Sequence, residues 1–188
     1  MRTYSKQNLL QKSIEMKTTW LNIVNLSSVV IEFNVPRSTY FRMKVLCEDI
    51  HELSGQMFTQ QKMIEILWRD FIEVVKMTPN PETIYNLLIE RSGTKKVVKE
   101  EILQEVNTFS FFEKTYEVKP QTNSNVIHYR MNRKQALRGE VMLADMAEVK
   151  PRHELTLEKV LEIIYCDFIE KYKQGESEQV VEQIIAII

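Results

Sequence analysis

A chain of 188 residues with 44% hydrophobic and 27% charged side chains can bury one core or two small ones, in the ordinary range for a globular protein. Only 4 Gly and 5 Pro occur, which disfavours turn-rich β architectures, and no apolar run approaches the roughly 18–20 residues that span a bilayer. A soluble, cytoplasmic protein with no membrane partner is therefore expected, and its net charge of −1 means that a polyanion would have to be met by local charge.

In chain order, a short helix is expected over Gln7–Met16, then a β-type stretch over Thr18–Val24. SVVIEFNV follows, from Ser28 to Val35, with apolar and polar residues alternating at period two. Ile31, Phe33 and Val35 then point one way, and Glu32 and Asn34 the other. A helix is expected over Ser38–Gly55. Thr59 stands where an N-cap hydroxyl would accept a helix N–H, and Met63, Ile64, Leu67, Phe71 and Val75 after it lie on one helical face. Pro79 and Pro81 break the chain before a last helix over Pro81–Glu90.

The second half repeats this order. A helix over Lys99–Asn107 and a β-type run over Ser110–Val118 precede NVIHYRM, where Ile127, Tyr129 and Met131 face inward and His128, Arg130 and Asn132 outward. Helices over Lys134–Val149, from the cap Thr156, and over Ser177–Ile188 after Gly175 complete the half. FTQQKMIEILWRDFIEVV, starting at Phe58, shares 8 of 18 residues with LTLEKVLEIIYCDFIEKY, starting at Leu155. Upstream, IEFNVPR from Ile31 aligns with IHYRMNR from Ile127, and Leu9-Leu10-Gln11 with Ile102-Leu103-Gln104. The expected fold is mainly α with short β-strands (α+β), built from two tandem copies of an α-β-β-α-α-α unit over 1–94 and 95–188.

A strand of alternating residues, a helix, a short loop and a second helix capped by Thr resembles the ribbon-helix-helix DNA-binding modules, with cores at about 28–90 and 124–188. In that family two strands, normally from two chains, pair antiparallel and lie in the major groove. The resemblance implies that the tandem copies supply both strands, as an intramolecular pseudo-dimer, and that the partner is double-stranded DNA. The implied contact set is Glu32, Asn34, Arg37, His128, Arg130, Asn132 and Arg133, with Thr59 and Thr156 at helix starts whose free amides suit phosphate. Arg130 would pair with guanine, Asn34 or Asn132 with adenine, and Glu32 with cytosine N4. Local charge agrees in copy two. From Val126 to Arg152 six basic residues face three acidic ones, whereas from Leu155 to Ile188 three face seven. The function implied is a regulatory one, a transcriptional repressor or a plasmid, phage or conjugation factor.

Other chemistry is weaker in the sequence. The repeated DFIE (Asp70–Glu73, Asp167–Glu170) reads as a solvated helix face, and Cys47 with His51 has ligand-like spacing but no companions. Cys47 and Cys166 lack CxxC spacing and read as reduced core cysteines; His128 and His153 have no nucleophile beside them. No catalytic activity, cofactor or metal is expected. Trp20 and Phe111-Phe112 read as core plugs, and the apolar end, Ile184 to Ile188, suggests a homodimer through the C-terminal helices. The alternative is a protein-interaction or inhibitor module, favoured by the near-zero net charge and the extra β-type runs. What separates the two is whether residues 31–35 and 127–131 lie side by side, antiparallel, with their polar face open.

Overall fold

The computed structural model describes residues 2–15, 28–78, 80–93, 123–175, 182 and 184–186. It is mainly helical with one two-stranded antiparallel sheet among these residues, an α+β arrangement. The elements are α1 (Leu9–Glu15), β1 (Ser28–Pro36), α2 (Arg37–Ser54), α3 (Gln60–Met77), α4 (Pro81–Arg91), β2 (Ser124–Asn132), α5 (Arg133–Val149) and α6 (Leu157–Lys173). The β-type runs at Thr18–Val24 and Ser110–Val118, the helix at Lys99–Asn107, Trp20 and Phe111-Phe112 lie outside the described residues, as does most of Ser177–Ile188.

Local chemistry sets most of the boundaries. Pro36 holds φ at −54° in extended backbone and starts α2 at the next residue. Thr59 Oγ accepts from Lys62 N and Thr156 Oγ from Lys159 N, both at 3.3 Å, so both expected caps are in place. Asn80 caps α4, whose first residue, Pro81, lacks an N–H that would have had no partner there. Gly55, at φ 67°, ends α2 in the left-handed region and donates its N–H to His51 O at 2.9 Å.

β1 and β2 run antiparallel from the Ser28–Asn132 pair to the Pro36–Ser124 pair. Ile31, Phe33, Val35, Ile127, Tyr129 and Met131 are all buried, while Val30, Glu32, Asn34, Val126, His128 and Arg130 are exposed. The period-two pattern is therefore realised on both strands, and among the described residues none covers the outward face.

The two helices with matching sequences serve different roles in the core. α3 buries one stripe: Met63, Ile64, Trp68, Phe71 and Ile72. α6 buries Leu157, Val160, Leu161, Ile163, Ile164, Tyr165, Phe168 and Ile169, on more than one face. It packs under β1 and touches α2, α3, α4 and α5, whereas α1 and α4 both lie on α5. Close approach is possible there because of Gly139. A Cβ at that position would stand 2.6 Å from Leu157 Cδ1 and 3.0 Å from Trp68 Cη2.

Candidate nucleic-acid interface

The ribbon places four of the expected contact residues, Glu32, Asn34, His128 and Arg130, on one exposed face. Val30 and Val126, 42% and 53% exposed, lie on the same face. Val30 stands across from Arg130, and Val126 across from Asn34. Glu32 and His128 occupy the middle, with Glu32 Oε1 3.1 Å from His128 Nδ1 and Oε2 3.9 Å from Lys6 Nζ. Glu32, expected as an acceptor for cytosine, thus has His128 across the ribbon and Lys6 of the N-terminal segment beside its carboxylate.

Asn132 also departs from its expected role. It is exposed, but its Oδ1 accepts from Lys134 N at 2.9 Å and so caps α5. A two-bond contact to adenine needs that oxygen, which leaves Asn34 as the open amide on this face. Arg37 and Arg133 are the first residues of α2 and α5, immediately after each strand, so they flank opposite ends of the ribbon. Arg37 is exposed, donates its backbone N–H to Asn123 O and lays its guanidinium 5.6 Å from the Phe41 ring centre. Arg133 is half-buried and is followed by the exposed Lys134.

The helix starts are unequal. Thr59 is exposed at the head of α3, where Gln61 Nε2 donates to Arg130 O at 2.7 Å and Gln61 Oε1 accepts from Arg130 N at 3.2 Å. This amide covers the outer edge of β2 beside Arg130 while leaving the Arg130 side chain exposed. On the other edge Gln7 Nε2 donates to Val30 O at 2.9 Å. At the head of α6 the expectation of free amides fails. Leu157 N donates to Tyr4 O at 2.8 Å, and the Glu158 carboxylate, which accepts from Lys6 N at 2.7 Å, would repel phosphate.

The N-terminal segment that covers this end is held by a group the sequence did not single out. Glu140, on α5, is fully buried, and its carboxyl accepts from Ser5 Oγ, from Leu9 N at 3.0 Å and from Leu10 N at 2.6 Å. It thus satisfies the unpaired amides at the start of α1. Its spacing, four residues after Ala136 and three before Leu143, is the signal that puts it on the buried stripe of α5, unlike the exposed Asp145 and Glu148. Its burial also removes one of the three acids counted between Val126 and Arg152, so the surface there is more basic than the sequence count.

The remaining candidates have structural roles. Asp70 is exposed, as a solvated face requires, but Asp167 is half-buried between Lys171 at 3.0 Å and Arg91 at 3.6 Å. Burial pushes the Cys47 and Cys166 thiols up to about 12, and Cys47 faces the core while the exposed His51 binds Gln56 O at 2.6 Å. His153 is buried: Nδ1 accepts from Leu155 N and Nε2 lies 3.1 Å from Leu143 O, an arrangement that suits the neutral ring. Burial, the larger influence, pulls its pKa below the usual histidine range despite the Leu143 bond. Ile184 is buried in this chain's own core with Ile185 packed against it, so these two residues need no second chain to cover them.

Among the described residues no group of three or more His, Cys, Asp or Glu side chains is placed to hold a metal ion, and no helix is long and apolar enough to cross a membrane. Comparison with known proteins returns no match to a family model, to a curated protein or to a solved structure.

Proposed function

We propose that this chain is a DNA-binding regulatory protein of the ribbon-helix-helix type, in which one polypeptide supplies both strands of the ribbon as a pseudo-dimer. The observation that carries this reading is the β1–β2 ribbon, with its apolar side chains in the core and its polar face in solvent. Its register adds support. The sequence repeat aligns Ile31 with Ile127, an offset of 96, and Glu32 pairs with His128 at that same offset. Each strand centre thus faces its own counterpart, as a two-fold axis through the ribbon requires.

In this reading the ribbon enters the major groove and the outward side chains meet base edges. Arg130 and Asn34 carry the directional hydrogen bonds, and Val30 and Val126 suit thymine methyl groups. Arg37, Arg133, Lys134 and the head of α3 bind phosphates on either side, positioning the ribbon without reading sequence. Lys6, brought beside Glu32 by the N-terminal segment, joins the basic rim.

The test is binding of the purified chain to duplex DNA fragments across a salt series. Retention of particular fragments is expected, with affinity falling steeply as salt rises, because each phosphate contact releases counterions. Arg130→Ala is expected to weaken binding to a retained site by roughly 1–3 kcal/mol. No retention at low salt would overturn the proposal. A protein-interaction module is the second reading, favoured by the apolar side chains Phe41, Val45 and Leu53 left exposed on α2.

A further inference from the structure

We infer that the duplex site read by this ribbon is non-palindromic, with a guanine-reading arm and an adenine-reading arm set by Arg130 and Asn34. The inference rests on the DNA-binding reading above and specifies the class of site. When two identical chains build a ribbon, each outward side chain occurs twice, once on each side of the axis, and an inverted-repeat site follows from that symmetry. Here one chain supplies both strands, so each pair of equivalent positions can differ.

The equivalences follow from the register. At the offset of 96, Val30 corresponds to Val126, Glu32 to His128 and Asn34 to Arg130. One end of the ribbon face therefore presents Val30 beside Arg130, and the other presents Val126 beside Asn34. The valines are the same at both ends and all four side chains are exposed, so within these positions the difference is Asn34 against Arg130; further out Pro36 corresponds to Asn132, whose Oδ1 is held by the α5 cap. That pair has different base preferences. The Arg guanidinium donates two parallel hydrogen bonds to guanine O6 and N7, whereas an Asn amide donates to adenine N7 and accepts from N6. The middle of the face is asymmetric too, but there Glu32 and His128 are engaged with each other.

The spacing follows as well. Arg130 stands across from Val30, and Asn34 lies four residues further along β1. At ~3.3 Å per residue this separation is about 13 Å along the ribbon, or about four base-pair steps at ~3.4 Å each. Gln61 holds the Arg130 backbone through both its N–H and its carbonyl, so changes to the Arg130 side chain leave the ribbon edge anchored.

The experiment is selection by the purified full chain from a random-sequence duplex library, followed by sequencing of the retained DNA. The wild-type chain is expected to select a non-palindromic motif with guanine in one arm and adenine in the other, about four base pairs apart. Arg130→Asn makes these two reading positions alike and is expected to select a motif with adenine in both arms. It should also lose roughly ten- to hundredfold in affinity for the wild-type site. Asn34→Arg is expected to give the reciprocal motif with guanine in both arms. Both positions are exposed, and circular dichroism checks that each variant is folded. A palindromic wild-type motif, or a motif unchanged in both variants, would overturn the inference while leaving DNA binding intact. Failure to retain any duplex at low salt would instead remove the DNA-binding reading and this inference with it.

Discussion

α3 and α6 share eight of eighteen aligned residues over their caps and bodies, yet they occupy different environments. α3 buries one stripe, and its first turn reaches across to the edge of β2 through Gln61. α6 is buried on several faces, and its first turn lies beneath the N-terminal segment that Glu140 anchors. The pattern of apolar residues therefore determines that each helix has a core side, whereas the number of buried faces depends on what packs around it. A similar contrast separates the two strands. Their inward residues are all buried aliphatic or aromatic side chains, and their outward residues have diverged into Asn34 on one and Arg130 on the other. Packing needs only apolar volume on the inner side, while the outer side is free to differ.

The largest effect is expected where the two helix starts differ most. Glu140→Ala should destabilise the fold by about 2–4 kcal/mol, because the amides of Leu9 and Leu10 lose a buried acceptor. Urea unfolding measures the loss, and hydrogen exchange should show the Leu9, Leu10 and Leu157 amides opening together. Retained protection at Leu157 would mean that the N-terminal segment holds the head of α6 without Glu140. A smaller loss, about 1–3 kcal/mol, is expected for Gly139→Ala, since the added methyl meets Leu157 and Trp68. An unchanged thermal midpoint would show that these side chains can retreat and that the approach of α5 is not tight. The smallest effect compares matched acids. Asp167→Asn should cost roughly 1 kcal/mol through loss of a half-buried pair with Arg91 and Lys171, and Asp70→Asn close to nothing. Equal effects would indicate that the difference in burial between α3 and α6 carries no energetic consequence.

Much of the ribbon was legible in the letters. SVVIEFNV and NVIHYRM assign their inner and outer faces by alternation alone, and the caps at Thr59 and Thr156 follow from a hydroxyl placed before an apolar-periodic run. The site was legible only as a set of side chains. Asn132 looks in sequence like another outward reader, but its place at a strand-to-helix junction commits it to capping α5. Glu32 looks like a free carboxylate until strand pairing puts His128 across from it. Gln61 gave no signal, because its partner backbone lies 69 residues away.

Local residue patterns set the periods, the helix starts and stops and the side of each strand that must be buried. These depend on residues within a few positions of one another, where propensity, capping and alternation act. Packing across the chain set the register in which the strands meet, the burial of α6 and not α3 on several faces, and the place of Glu140 as an internal anchor. Those outcomes depend on contacts between residues more than a hundred positions apart in the case of Glu140 and Leu9, and no local pattern encodes such a meeting. The difference between Arg130 and Asn34 at equivalent positions of the ribbon belongs to both levels. The letters are in the sequence, but their equivalence exists only once the strands are paired.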